Sequence, residues 1–150
     1  MRITSSIFEY NKAIPAKFTC DGENINPPLE FVDVPVNTRS LVLIMEDPDV
    51  PNSIRADGMW DHWIIFNIPP QTQGVAEGSE PGGVPGKNTG GNLSYGGPCP
   101  PDGEHRYYFK LFALDTMLDI PAGVTKRDVL AAMDTHILEQ AELVGRYQRG

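Results

Sequence analysis

Three places in this chain carry side chains suited to chemistry: Asp47 and Asp49, then His62, then His105 with Tyr107 two residues on. Asp47 and Asp49 stand among Pro48 and Pro51, directly after the apolar run 41–45. Proline removes a backbone donor and restricts φ, so the run ends there and the two carboxylates sit in a stiff corner. Two imidazoles and a phenol, with backbone N–H groups of a Gly-rich loop, are donors suited to a phosphate-sized anion. A carboxylate beside them favours the charged imidazolium. Asp47 is therefore expected to orient and charge His62, while Asp49 keeps the turn in shape.

The same residues also allow an enzyme. Asp47, His62 and His105 make a two-histidine, one-carboxylate metal set on paper, although no H-x-H or H-x-x-x-H spacing preorganises it. His62 and His105 as acid and base on a small phosphorylated or carboxylate ligand is the related alternative. Other catalytic motifs fail on inspection. Ser94 lacks the glycine two positions before it that a nucleophile elbow needs. Gly86-Lys87 is followed by Asn88, and position 81 is Pro, so there is no phosphate-cradling P-loop. The expectation is binding without catalysis, with no cofactor and no resident metal.

For these residues to meet, strand ends must converge. The run 41–46 is short, branched and apolar, and reads as a buried strand. A second strand, 62–68, is closed by Pro69-Pro70, and a third, 106–114, is aromatic and branched. If the first two are antiparallel neighbours, Asp47 comes near His62. His105 and Tyr107 share a face, and alternation turns Arg106 the other way, toward an ion pair with an aspartate of the acidic corner. Trp63 reads as a core aromatic. Shorter strand-like pieces fall at 17–20 and 29–32. Residues 71–104, rich in glycine, form a connection too long to be a simple turn. From Thr125 onward, Leu130, Met133, Ile137, Ala141 and Val144 recur at steps of three and four, which predicts a C-terminal helix capped by Thr125 and Asp128.

Length and charge set the frame. One domain over 1–150 is expected, with room for a core without staples. A net charge of −8 argues against nucleic acid, whose phosphates need clustered Lys and Arg. Neither a signal segment nor a membrane-length apolar run is visible, so a cytoplasmic location is expected. Cys20 and Cys99 read as two reduced thiols, with a disulfide open if their loops meet in space.

The order of motifs is also recognisable. Asp47-Pro48-Asp49-x-Pro51, Trp60-x-His62, and Gly96-Gly97-Pro98-Cys99-Pro100-Pro101 followed by Gly103-x-His105-Arg106-Tyr107 resemble the phosphatidylethanolamine-binding protein family, also called the Raf kinase inhibitor protein family. Phe18-Thr-Cys-Asp-Gly22, Asn26-Pro-Pro-Leu29 and the ending Ala141-Glu-Leu-Val-Gly-Arg-Tyr147 look like its bacterial and archaeal branch. The resemblance implies a mainly β protein, a two-sheet antiparallel sandwich with short peripheral helices, and a small anion pocket. Asp47, His62, His105 and Tyr107 match the pocket, Pro51 and Trp60 its wall, and Gly97, Pro100 and Pro101 its rim. It further implies a phosphate, carboxylate or phosphorylated ligand. A protein partner such as a kinase and a homodimer are within the same expectation. Asp61 stands where animal members carry a second histidine, and Cys99 where they carry a small residue.

Overall fold

The computed structural model describes residues 1–150. Its strands are β1 (Arg2–Thr4), β2 (Lys12–Ala13), β3 (Leu29–Val32), β4 (Ser40–Asp47), β5 (Trp60–Ile68), β6 (Gly74–Val75), β7 (Val84–Pro85), β8 (His105–Leu114) and β9 (Ile137–Tyr147), with one helix, α1 (Lys126–Met133), before β9. They form a small sheet, β1-β3-β6, and a large one, β2-β9-β8-β4-β5-β7. All pairs are antiparallel except β2 with β9, which run parallel.

β4 lies in the middle of the large sheet because its side chains are apolar on both faces. Leu41, Leu43 and Met45 point between the sheets, where they meet Phe31 of β3, Trp63 and Ile65 of β5, and Phe109 and Leu111 of β8. Val42 and Ile44 point the other way and pack under α1 with Ile64, Phe66, Val129 and Met133. A strand covered on both faces reads as one continuous apolar run, and burying each such side chain contributes about 2 kcal/mol.

The three expected main strands lie within β4, β5 and β8, side by side and antiparallel. The piece 29–32 is β3. The piece 17–20 is instead part of a 3₁₀ turn over Ala16–Phe18, because Pro15 enters it and accepts the Phe18 N–H at 3.1 Å. The connection 71–104 contributes β6 to the small sheet and β7 to the edge of β5.

The C-terminal helix requires correction. α1 starts as expected, with Asp128 accepting the Thr125 N–H at 3.4 Å, but it stops at Met133, and Thr135 turns at φ 68°. Residues 137–147 are strand β9, paired along the whole of β8. The apolar spacing fitted a helix, yet the backbone donors and acceptors of β8 would otherwise lie unpaired at a sheet edge. Gly145 lets β9 lie close to its neighbours: a Cβ there would come within 2.6 Å of Ile14 Cδ1 and 2.9 Å of Phe8, which only glycine avoids.

Candidate functional site

The C-terminal end of β4 meets the start of β5 and the start of β8 at one corner of the sandwich. Asp47 pairs with Trp60, Glu46 with Asp61, and Met45 with Trp63, so His62 is an extra residue without a partner. This bulge breaks the alternation of β5. Asp61 faces out toward Lys126, at 2.6 Å, while His62 and Trp63 both face in. Across from them, His105 and Tyr107 share the inner face of β8, as their spacing requires. The Tyr107 ring lies 5.3 Å from that of His62 and 6.5 Å from that of His105.

Asp47 is not the partner of His62. Its Oδ2 accepts from His105 Nδ1 at 2.6 Å, and its Oδ1 from the Asp49 N–H at 2.7 Å. The second nitrogen of His105, Nε2, donates to Asp102 at 2.8 Å. Burial alone would lower the pKa of His105, but the bonds to Asp47 and then Asp102 outweigh it and raise the value. Asp49 points to the other face, where Arg106 grips it with Nε at 2.9 Å and a second nitrogen at 2.7 Å. That guanidinium holds the Asp49 carboxyl below its usual range. The ion pair of Arg106 with the acidic corner is thus present, and it is Asp49 that makes it.

His62 has a different environment from the one expected. Its Nδ1 lies 2.7 Å from the carbonyl of Gly96, which can only accept, so the proton of the neutral ring sits on Nδ1 and Nε2 keeps a lone pair. Burial pushes its pKa down, ahead of the opposing influence of Gly96 and of the Asp47 charge. Asp47 therefore does not charge His62, because His105 occupies it first. Tyr107 is fully buried; its Oη lies toward Asp47 but makes no well-formed hydrogen bond. Burial, followed by the Asp47 charge, keeps the phenol protonated.

The rim is built by the loop 88–101 folded onto the segment 16–24. Asn88, itself buried, donates to the carbonyls of His62 at 3.3 Å and Ser94 at 3.0 Å, and its oxygen receives the Asn92 N–H. Gly96 N–H goes to His62 O and Gly97 N–H to Asn24 Oδ1, so neither is a free donor for a ligand; in this loop Gly90 and Cys99 are the lining residues whose N–H groups have no protein acceptor. Cys20 and Cys99 are joined in a disulfide with Cα atoms 5.4 Å apart, which overturns the reading of two reduced thiols. The two loops are 79 residues apart in sequence and meet only through the fold. Such bonds are usual in oxidising compartments, and a cytoplasmic location draws no support from these cysteines.

Between rim and strand ends lies a cavity of about 420 Å³. Asp47, Trp60, His62, Gly97, Pro100, Pro101 and Tyr107 line it, together with Val50, Ile54 and the disulfide. No Lys or Arg does. The metal alternative loses its ligands here: both nitrogens of His105 face carboxylates and Nδ1 of His62 faces a carbonyl, and no group of three His, Cys, Asp or Glu is arranged around a common point.

The profile of the phosphatidylethanolamine-binding protein family matches residues 4–148. This chain belongs to that family. Among its relatives, the UPF0098 protein of Chlamydia trachomatis serovar D is 52% identical over 149 residues, covering 99% of both chains. That of Methanothermobacter thermautotrophicus is 49% identical over 156 residues, covering 100% of both. The crystal structure of the phosphatidylethanolamine-binding protein homologue CT736 of C. trachomatis superposes with a TM-score of 0.97 at 51% identity, covering 99% of this chain and 97% of that one. Escherichia coli YbcL, described as a new member of the mammalian PEBP family, gives 0.88 at 27% identity with 99% and 98% covered.

For this member of the phosphatidylethanolamine-binding protein family, seven of the nine residues suggested by resemblance line one cavity. His105 and Pro51 do not. His105 stands behind Asp47 and fixes it, while the Pro51 carbonyl accepts the N–H of Ile54 at 2.9 Å and so shapes the turn that presents Ile54. Sequence reasoning missed Asn24 and Asn88, the two asparagines that brace the rim. Their signal was weak: an amide near glycines is ordinary turn chemistry until its partners are known.

Proposed function

We propose that this protein is a binding protein for a small oxoanion, held in the cavity by the Tyr107 hydroxyl and the rim, with His62 Nε2 accepting a ligand O–H or taking up a proton as the anion binds. The observation that carries the reading is the Tyr107 hydroxyl, fully buried on a cavity-lining residue, with Asp47 nearby but no well-formed hydrogen bond to it. A buried hydroxyl left unpaired costs about 1–3 kcal/mol, a cost that a ligand oxygen removes. The cavity also has the size of small-ligand sites, and family membership supports a ligand-binding role. Phosphodiesters, and phosphomonoesters in their singly charged form, present such a group on metabolites and on partner proteins.

A second reading has one observation in its favour. The free lone pair on His62 Nε2 beside the Tyr107 phenol is an arrangement that a general base uses, so turnover of a small phosphate or carboxylate ester stays the enzyme alternative. Titration of the protein with inorganic phosphate on the acid side of neutrality, where phosphate is mainly singly charged, followed by the ring resonances of His62 and Tyr107, tests the binding reading. Saturable shifts of both rings are expected; no shift at either ring sinks it. Incubation with phosphate and carboxylate esters, with release of alcohol as readout, decides between binding and turnover.

A further inference from the structure

We infer that this cavity selects singly charged anions and discriminates against dianions, with Asp47 as the residue that sets the limit. The inference deepens the anion reading and rests on it.

The lining holds one carboxylate, Asp47, and neither Lys nor Arg. Its donors are neutral: the Tyr107 hydroxyl, the N–H groups of Gly90 and Cys99, and the side-chain amides of Asn24 and Asn92. His105 is the cation nearest to Asp47, but it lies outside the lining, and its two N–H groups are directed at Asp47 and Asp102. Desolvation of an ion grows as the square of its charge, so a dianion needs a cation that this lining lacks, whereas neutral donors serve a monoanion. The net charge of −8 works in the same direction.

His62 offers the cavity its one source of positive charge, and only by taking a proton at Nε2. Several groups bear on that step. Asp47 from β4 and Asp61 from β5 favour it; His105 from β8 opposes it; the Gly96 carbonyl of the rim favours it, and Tyr107 stays neutral. A dianion therefore has to bring a proton with it. Val50, Ile54, Pro100 and Pro101 add apolar lining that a substituent on the monoanion can cover.

Sulfate and methyl sulfate test this, since they share one tetrahedral group, differ in charge, and do not titrate near neutrality. Sulfamate, a monoanion without the methyl, separates charge from apolar contact. Calorimetric titration of the disulfide-intact chain should show both monoanions binding at least about ten-fold tighter than sulfate near pH 8. Sulfate should gain on them as the pH is lowered below the usual histidine range, once His62 takes its proton against the effect of burial. In Asp47→Asn the gap should narrow. Sulfate binding as tightly as the two monoanions overturns the inference and leaves the anion reading standing. If none of the three moves the His62 or Tyr107 resonances, the anion reading falls and the inference with it. Should Asp47→Asn fail to fold, the three-ion comparison on the unaltered protein still decides.

Discussion

Asp47 receives its short bond, 2.6 Å, from His105 and not from His62. The consequence is a division of labour between two histidines on β5 and β8, the strands that flank β4. His105 is an ion-paired strut with both nitrogens engaged, and His62 is a neutral ring with one nitrogen free for a ligand. The neighbouring pair, Asp49 with Arg106, fastens the same corner from the outer face.

The strut predicts a pH signature. The pKa of His105 is raised in the folded protein, so its contribution is complete below the unfolded value of about 6.5 and fades as pH rises through the higher folded value. His62 has the opposite sign: its pKa is lowered, so stability falls as pH drops below about 6.5, where the unfolded chain takes up a proton the folded one resists. His105→Asn should abolish the loss of stability on the alkaline side of that point and leave the acid-side loss in place. Leaving Asp47 buried without its partner should also cost about 3 kcal/mol. Urea unfolding of both proteins across this pH range checks it; an unchanged alkaline limb would show that His105 is not charged.

Tyr107→Phe separates support from binding. Its hydroxyl makes no well-formed hydrogen bond in the fold, only an approach to Asp47, so its loss should leave the melting temperature nearly unchanged, while affinity for phosphate drops about ten-fold. Parallel thermal melts and titrations give the answer, and a marked loss of stability would mean that the hydroxyl has a structural partner.

Gly97 is a close-approach glycine. A Cβ added there would stand 2.6 Å from the Phe18 carbonyl and against the Asn24 amide, so Gly97→Ala must push the rim away from the segment 16–24. The expected cost is about 1–3 kcal/mol, accompanied by weaker anion binding. Chemical denaturation with a phosphate titration on the same sample measures both effects.

Reducing the disulfide, or Cys99→Ser, reopens a link across 79 residues. Chain entropy puts that loss at about 4 kcal/mol, or a drop of roughly 8–16 °C in melting temperature for a chain of this size. Differential scanning calorimetry with and without reductant is the measurement. An unchanged melt would show that Gly97 N–H to Asn24 and Cys20 N–H to the Pro98 carbonyl hold the rim unaided.

Much of the frame was legible in the chain itself. Branched and aromatic runs marked β4, β5 and β8 because each buries at least one whole face, and the parity of His105, Arg106 and Tyr107 told correctly which of them look inward. The stretch after Met133 misled because residues 137–144 carry an apolar spacing that suits a helix, and the need of β8 for a hydrogen-bonded neighbour outweighs that preference. The His62 bulge was equally invisible, since alternation alone sends His62 and Trp63 to opposite faces.

By itself, the sequence determined which groups were available: the strands, the acidic corner, two histidines and a tyrosine at strand ends, and a set of motifs specific enough to indicate the family. The tertiary structure decided who pairs with whom. Asp47 and His105 are 58 residues apart, and Cys20 and Cys99 are 79 apart. Such partners depend on strand register, on one bulge and on how two loops cross. Hydrogen bonds and disulfides form only within a few tenths of an ångström of their proper lengths, a precision that residue type and spacing along the chain do not carry.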